Sequence, residues 1–299
     1  MKLPVLLIAF NRPKLTSLVM DALEKYKPKI LYVAIDGPRN ETDSALSNQI
    51  KLEIGKRFEG IEVKTLFRTE NLGCKLAVSG AIDWFFANEE LGIILEDDCL
   101  PNLNFFQFME EMLFKFRNDP NVGLISGNNF FFGNLEVPFS YYASNYFHIW
   151  GWGTWRRSWE GYQPSGISME EIESVVNSKF NSTAERKFWI NNIFNASIGK
   201  LDTWDLQWIY YNWRKKRISI MPTKNLVSNI GFGIEATHTK TEDSVLNKIK
   251  TEELKFPLVE PKTFDPDRVL DYYSRRLFFR ISYLEKLEFY FLKKIRGFL

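Results

Sequence analysis

Cysteine is scarce in this chain. Only Cys74 and Cys99 occur among 299 residues, and neither has a partner at metal-ligand spacing. That excludes a disulfide scaffold and a cysteine-built zinc site, and it suits a reducing compartment. Histidine is equally sparse, with only His148 and His238. A surplus of one charge is also missing: 39 Lys and Arg stand against 37 Asp and Glu, for a net +2. The cations are spread among carboxylates except near the C-terminus, which argues against a nucleic-acid binder. No apolar run approaches the length of a bilayer span. The first run, Val5-Leu6-Leu7-Ile8, is broken at once by Asn11-Arg12-Pro13, too soon for a secretory signal, and it reads as a first strand. The expectation is a cytoplasmic protein.

What is present is apolar mass. Hydrophobic residues make up 45% of the chain and aromatics 16%, enough for a sizeable core and contrary to wholesale disorder. Apolar runs at 5–10, 30–35, 61–67, 92–95 and 122–126 read as strands. Helical spacing falls between them at 13–23, 46–58, 77–86 and 105–116. This alternation predicts an α/β fold of βαβ units with a mostly parallel central sheet flanked by helices. From about residue 130 the pattern changes. Aromatic-rich stretches at 130–132, 139–142 and 146–159 show no clear period, and helices follow at 169–176, 184–198 and 204–213. With no internal repeat or low-complexity linker, the second half is expected to extend the same sheet.

Strand 92–95 runs directly into Glu96-Asp97-Asp98. Ligands of open α/β sheets bind at the carboxyl ends of strands, and three adjacent carboxylates repel one another. A divalent cation bridging to phosphate oxygens relieves that repulsion, since Mg²⁺ or Mn²⁺ uses one or two carboxylates and completes its shell with water and phosphate. An acidic turn in which Asp98 caps the next helix is the alternative. Three further strand ends should meet the same edge: Phe10-Asn11-Arg12-Pro13, Asp36-Gly37, and Arg68 through Asn71, Gly73 and Lys75. Asp36 suits a ribose or base donor, while Arg12, Arg68 and Lys75 suit a diphosphate. Gly73 would let the chain turn tightly and present helix N-terminal amides to it. Singly, each also reads as a turn residue or surface cation.

These stretches, with 4–13, 95–101, 148–155, 202–208 and 225–239, resemble the GT-A nucleotide-sugar glycosyltransferases. The nearest branches are the one like N-acetylglucosaminyltransferase I and a bacterial group labelled hemolytic-protein-like. The resemblance spans about four-fifths of the chain. It implies a single GT-A catalytic domain over 1–264, divided into a nucleotide-sugar-binding half (1–130) and a helical, aromatic acceptor half (131–264). It implies that Asp98 is the direct metal ligand at the family's Asp-x-Asp position, here the Glu-Asp-Asp variant, with Glu96 and Asp97 beside it. UDP is the implied carrier.

In the second half, His148-Ile149-Trp150-Gly151-Trp152-Gly153-Thr154-Trp155 alternates flat rings with glycine, which suits either stacking on a sugar face or a tightly packed corner. His148, Trp150, Trp152 and Trp204 are therefore acceptor-side candidates. Asp205, framed by Trp204 and Trp208, is partly desolvated and is the candidate general base. In the resembling enzymes a Trp-Asp pair here deprotonates the acceptor hydroxyl during one inverting displacement. Asp202 is the second choice for the base and also suits a helix cap. His238, after Gly231-Phe232-Gly233, suits a metal or phosphate contact. Glu235 is a further carboxylate of that loop.

Segment 265–299 is expected to be a basic amphipathic helical tail. From residue 270 onward it holds seven basic residues against three acidic, interleaved with aromatics. Such a helix suits an anionic membrane, giving peripheral attachment at the inner face of the membrane and access to a lipid-linked acceptor, or it docks on the body of the protein. The combined expectation is an inverting, metal-dependent glycosyltransferase of surface polysaccharide synthesis, using Mn²⁺ or Mg²⁺ and a glycan or lipid-linked acceptor. The rival readings are a nucleotidyltransferase, which usually carries a glycine-rich, lysine-bearing N-terminal loop absent from Ala9-Phe10-Asn11-Arg12-Pro13, and a non-catalytic carbohydrate- or membrane-binding protein.

Overall fold

In β1 (Val5–Ala9) every residue is apolar and buried, the signature of an interior strand covered on both faces. The computed structural model describes residues 2–131, 135–231 and 249–281. In it β1 lies between β2 (Ile30–Ile35) and β4 (Leu91–Glu96), parallel to both, and β3 (Glu62–Phe67) pairs with the outer side of β2. The partial exposure of β3 fits its place at the sheet edge. Helices α1 (Pro13–Tyr26), α2 (Glu41–Lys56) and α3 (Gly73–Asn88) connect these strands. Pro13 opens α1, where its missing N–H is no loss. Asn40 opens α2, its side-chain oxygen accepting from the Asp43 N–H at 2.9 Å.

Beyond α4 (Leu103–Lys115) come β6 (Val122–Ser126), β7 (Tyr141–Ser144), β8 (Trp152–Trp155) and β9 (Ile218–Pro222). They complete one eight-stranded sheet in the order β3-β2-β1-β4-β8-β6-β9-β7. Strands β1 to β4, β6 and β9 share one direction, while β8 and β7 run against it. The aromatic stretch 146–159 was expected to lack a period, yet it supplies β8, wedged between β4 and β6. The alternation there is in volume, not polarity. Trp152 stacks on the helices of one face, while a Cβ on Gly153 would come within 2.8 Å of Leu113 in α4 on the other. The helices expected at 169–176, 184–198 and 204–213 are present as Met169–Lys179, Thr183–Ser197 and Asp205–Arg214.

Helices cover both faces. α1, α2 and α4 share one core with the sheet. α3, α5 (Arg156–Trp159), α6 (Met169–Lys179), α7 (Thr183–Ser197) and α8 (Asp205–Arg214) share the other, which is dominated by Trp152, Trp159, Trp189, Trp204, Trp208 and Trp213. The fold is mixed α/β, with a large central sheet flanked by helices. Just after the carboxylates, β5 (Cys99–Pro101) pairs antiparallel with β10 (Val227–Asn229).

The described start of the tail is docked on the body. In α9 (Arg268–Ser274), Asp271 accepts from Ser144 Oγ at 2.5 Å and from Asn145 Nδ2 at 2.9 Å. Ser274 Oγ lies 2.6 Å from His148 Nε2, and Phe278 and Phe279 pack on the His148 ring. A buried carboxylate on Ser144 and a buried hydroxyl on His148 fix this stretch, so residues 268–281 take the docked alternative and not that of a free membrane-facing helix. The remainder of the tail, 282–299, lies outside the described residues. Among the described residues no helix is long and apolar enough to cross a membrane.

Candidate functional site

The strand order reverses at β1, which has β2 and β3 on one side and β4 on the other. Loops leaving the carboxyl ends of β1 and β4 diverge there, at the kind of switch point where open α/β sheets bind ligands. Arg12 leaves β1 at this place, and Glu96, Asp97 and Asp98 end β4. The Arg12 guanidinium spans two of these carboxylates, with Nη1 donating to Asp98 Oδ2 at 2.9 Å and Nη2 to Asp97 Oδ1. The Phe10 N–H donates to Asp97 Oδ2 at 3.3 Å. Burial opposes the Arg12 charge, but Asp97 and Asp98 outweigh it and hold it protonated.

Negative charge remains in surplus. Burial first, then the charges of Asp98 and Asp97, push the half-buried Glu96 carboxyl up to about 8, with Asp205 adding to the effect. Burial raises Asp97 as well, against the pull of Arg12. Three carboxyl groups thus crowd one guanidinium, which pairs with two of them. Among the described residues no group of three or more His, Cys, Asp or Glu is arranged to hold a metal ion. A cation held here by Asp98 and Glu96 would take most of its shell from phosphate and water, as Mg²⁺ commonly does. Gly231 packs so closely on Asp98 that a Cβ has no room, and Ile230 N donates to the Asp98 carbonyl at 2.8 Å. Residues 232–248, with Glu235 and His238, continue from that point and lie outside the described residues.

The other expected donor contacts are arranged differently from the reading of the sequence. Arg12 faces its own carboxylates because β1 and β4 are neighbours. Lys75 is buried, its Nζ donating to the Ala196 carbonyl at 2.8 Å in the last turn of α7. Cations at a helix C-terminus are favourable, so Lys75 is engaged there and not free for a diphosphate. The Arg68 guanidinium lies along α3, where a Cβ on Gly80 would be 2.8 Å from Nη2. Asn11 donates to Asp43 Oδ1 at 2.6 Å, on α2. Asp36 accepts from the Leu72 N–H at 3.1 Å, the Gly73 N–H at 3.2 Å and Asn71 Nδ2 at 3.0 Å. Asn71 also donates to the Gly37 carbonyl at 2.8 Å, and Gly37 lies so close to the Glu70 backbone that no side chain fits. The α3 N-terminus, expected to present amides to a ligand, is filled by the protein's own carboxylates.

Asp202 completes that filling. It accepts from the Cys74 and Lys75 N–H groups, each at 2.9 Å, so it caps α3 and not the adjacent α8. Asp205 opens α8 half-buried. Thr203 Oγ1 and the Leu206 N–H both donate to its Oδ1. Burial first, then the charges of Glu96, Asp202, Asp205 and Asp36, push the Cys74 thiol up and make it a poor nucleophile.

Trp152 and Trp204 are buried and stacked, ring centroids 5.6 Å apart, so neither offers a face to a sugar. Trp152 is core because β8 is an interior strand, and Trp204, at the head of α8, packs against it. His148 is also buried, among Phe130, Phe278 and Phe279, and burial lowers it to about 3, keeping it neutral. Trp150 alone of the acceptor-side candidates is partly exposed, and a Cβ on Gly151 beside it would come within 2.8 Å of Val227 and 3.2 Å of Leu95. Two residues at this edge escaped the sequence reading. Arg39 lies over the Phe10 ring at 4.9 Å and pairs with Asp43 at 2.7 Å. Tyr162 donates to the Trp204 carbonyl at 2.9 Å. The Gly37-Pro38-Arg39 turn was the available signal for Arg39; for Tyr162 there was none.

No family model matches the chain, and no curated protein matches it. Among solved structures, two crystal structures of HddC from Yersinia pseudotuberculosis, one complexed with GMP-PN, align at 13% identity and a TM-score of 0.34. The first alignment covers 56% of this chain and 83% of HddC, the second 54% and 80%. Likeness at that level carries no argument about this chain.

Proposed function

We propose that the protein is an inverting glycosyltransferase of GT-A type, moving a sugar from a nucleoside-diphosphate donor, by resemblance UDP, to a hydroxyl of a glycan or lipid-linked acceptor. The observation that carries this reading is the convergence of two carboxylate sets from distant parts of the chain. Asp202, three residues before Asp205 at the head of α8, caps α3 at Cys74 and Lys75, next to the Leu72 and Gly73 amides taken by Asp36 at the end of β2. The charge of Asp205 adds to the rise of Glu96 at the end of β4. A diphosphate-binding edge and a base for the acceptor are the two parts such a transfer needs.

In this reading Asp98 and Glu96 hold a divalent cation, Mn²⁺ or Mg²⁺, while His238, the other ligand candidate of the sequence, lies outside the described residues. The surplus of three carboxylates over one guanidinium is what fits a cation. Bound there, it would bridge the donor diphosphate and stabilise the leaving charge. Arg12 pairs with Asp97 and fixes the direction of Asp98. Phe10, with Arg39 over its ring, would serve the nucleotide, and the partly exposed Trp150 the acceptor. Both hydrogen bonds to Asp205 among the described residues fall on Oδ1. Oδ2 is left to take the acceptor proton as the hydroxyl attacks the anomeric carbon on the face opposite the diphosphate.

The test is turnover. A panel of nucleotide sugars with Mn²⁺ should yield one that the protein hydrolyses slowly or transfers to a glycan, releasing nucleoside diphosphate in a chelator-sensitive way. Release from no member of the panel, with or without Mn²⁺, would overturn the reading.

A further inference from the structure

An α-helix leaves its first four N–H groups without intrahelical partners. In α3 those amides are taken by two carboxylates from far along the chain. Asp36, at the end of β2, accepts from Leu72 and Gly73. Asp202, from the connection between α7 and α8, accepts from Cys74 and Lys75 at 2.9 Å each, one amide per oxygen. Gly73 has φ +76, and a Cβ there would stand 2.9 Å from Asp202 Oδ2, so the missing side chain makes room for the carboxylate. The same first turn answers in the other direction: Lys75 Nζ donates to the Ala196 carbonyl at 2.8 Å, closing the C-terminus of α7. Asp202 thus caps α3 while α3 caps α7, and the connection running from α7 to Asp205 is clamped at both ends to the half that carries Glu96.

We infer that Asp202 is a positioning residue: with Lys75 it forms a reciprocal cap that sets Asp205 beside the carboxylates of β4. The inference rests on the reading of Asp205 as the base. Asp202 touches no reacting atom in this arrangement, and both of its oxygens are occupied by amides. Its side chain is exposed, whereas the neighbouring Trp204 is buried and its carbonyl is held by Tyr162. Loss of the clamp should therefore loosen the connection and the head of α8 while leaving the core folded.

Three variants of the full chain test this: Asp202→Ala, Asp202→Asn and Lys75→Met. Hydrogen exchange of a peptide spanning 198–206 should accelerate in Asp202→Ala and Lys75→Met, with the melting midpoint changed little. In the transfer assay Asp202→Ala should lower kcat by about 10²-fold, the scale of a base misplaced by about 1 Å, with donor affinity unchanged. Asp202→Asn keeps one acceptor oxygen for the helix and should recover most of that loss. The double variant Asp202→Ala with Lys75→Met should fall by less than the product of the two single effects, because the caps act as one unit. Unchanged exchange over 198–206 in Asp202→Ala overturns the clamp. An Asp202→Asn variant as inactive as Asp202→Ala, with undisturbed exchange, overturns it too and marks Asp202 as the proton acceptor itself. If the wild-type protein transfers no sugar, the glycosyltransferase reading fails while the exchange arm still decides the clamp.

Discussion

The two halves of the molecule build one sheet from opposite materials. In the parallel half, β1, β2 and β4 are apolar to their ends and then release polar side chains at one edge, so Arg12, Asp36, Glu96, Asp97 and Asp98 meet there by topology alone. In the aromatic half, β8 brings tryptophan into the sheet, and α7 and α8 cover it with more tryptophan, spending almost every ring on packing. Little polar chemistry is returned to the edge from that side, but what is returned is Asp202 and Asp205. The difference separates roles. The first half concentrates charge where a ligand can meet it, and the second supplies a rigid mass from which a carboxylate is aimed.

Substitutions can break this division. The largest expected effect is at the point where the halves meet. Asp205→Asn keeps the shape of the side chain and its contact with Thr203 but cannot take a proton, so transfer should fall by about 10²–10⁴-fold. Donor affinity and melting midpoint should stay at the wild-type values, read by calorimetry and thermal denaturation of the same preparations. Wild-type turnover in Asp205→Asn would remove the base from the aromatic half.

Trp152→Ala should show the opposite profile. It empties a fully buried site between Trp204 and Trp208 and should lower stability by about 3–5 kcal/mol in urea unfolding. The affinity of the remaining folded protein for nucleotide should not move. If Trp152→Ala is as stable as wild type and loses only acceptor affinity, the ring serves a sugar and not the core.

A smaller effect is expected at Glu96, and its sign follows from burial and crowding. The folded protein holds this proton up to about 8, against an ordinary value of 4.5. The unfolded chain releases it earlier, so the native state binds more protons across that window and stability falls as pH rises from 4.5 to about 8. Glu96→Gln should flatten that decline in a series of melting curves, and Mn²⁺ should oppose it in the wild-type protein. A decline of equal slope in Glu96→Gln would place the proton on another group.

Much of the parallel half was legible because its signal is one of period. Strand runs at 30–35 and 122–126 match β2 and β6 residue for residue. Strand β8 was not legible, since alternation of tryptophan with glycine looks the same for a binding surface and for an interior strand. The strand ends carrying Arg12 and Glu96 to Asp98 could be picked out from their place after apolar runs. Which ion meets which could not: Arg12 and Lys75 both read as phosphate ligands, yet one spans Asp97 and Asp98 and the other closes α7. Those pairings depend on which strands become neighbours and on contacts such as Lys75 with Ala196, more than a hundred residues apart in sequence. Local pattern carries no such information.

In the proposed function the end of β4 would receive the donor diphosphate through a cation on Asp98. Isothermal titration of UDP into the wild-type protein and Asp98→Ala, each with Mn²⁺ and again with EDTA, tests it most directly. The wild-type protein should bind UDP at least about tenfold tighter with Mn²⁺ than without, a difference of ~1.4 kcal/mol. Asp98→Ala should lose that metal dependence while keeping the wild-type melting midpoint. Metal-dependent UDP binding of wild-type strength in Asp98→Ala would contradict the account.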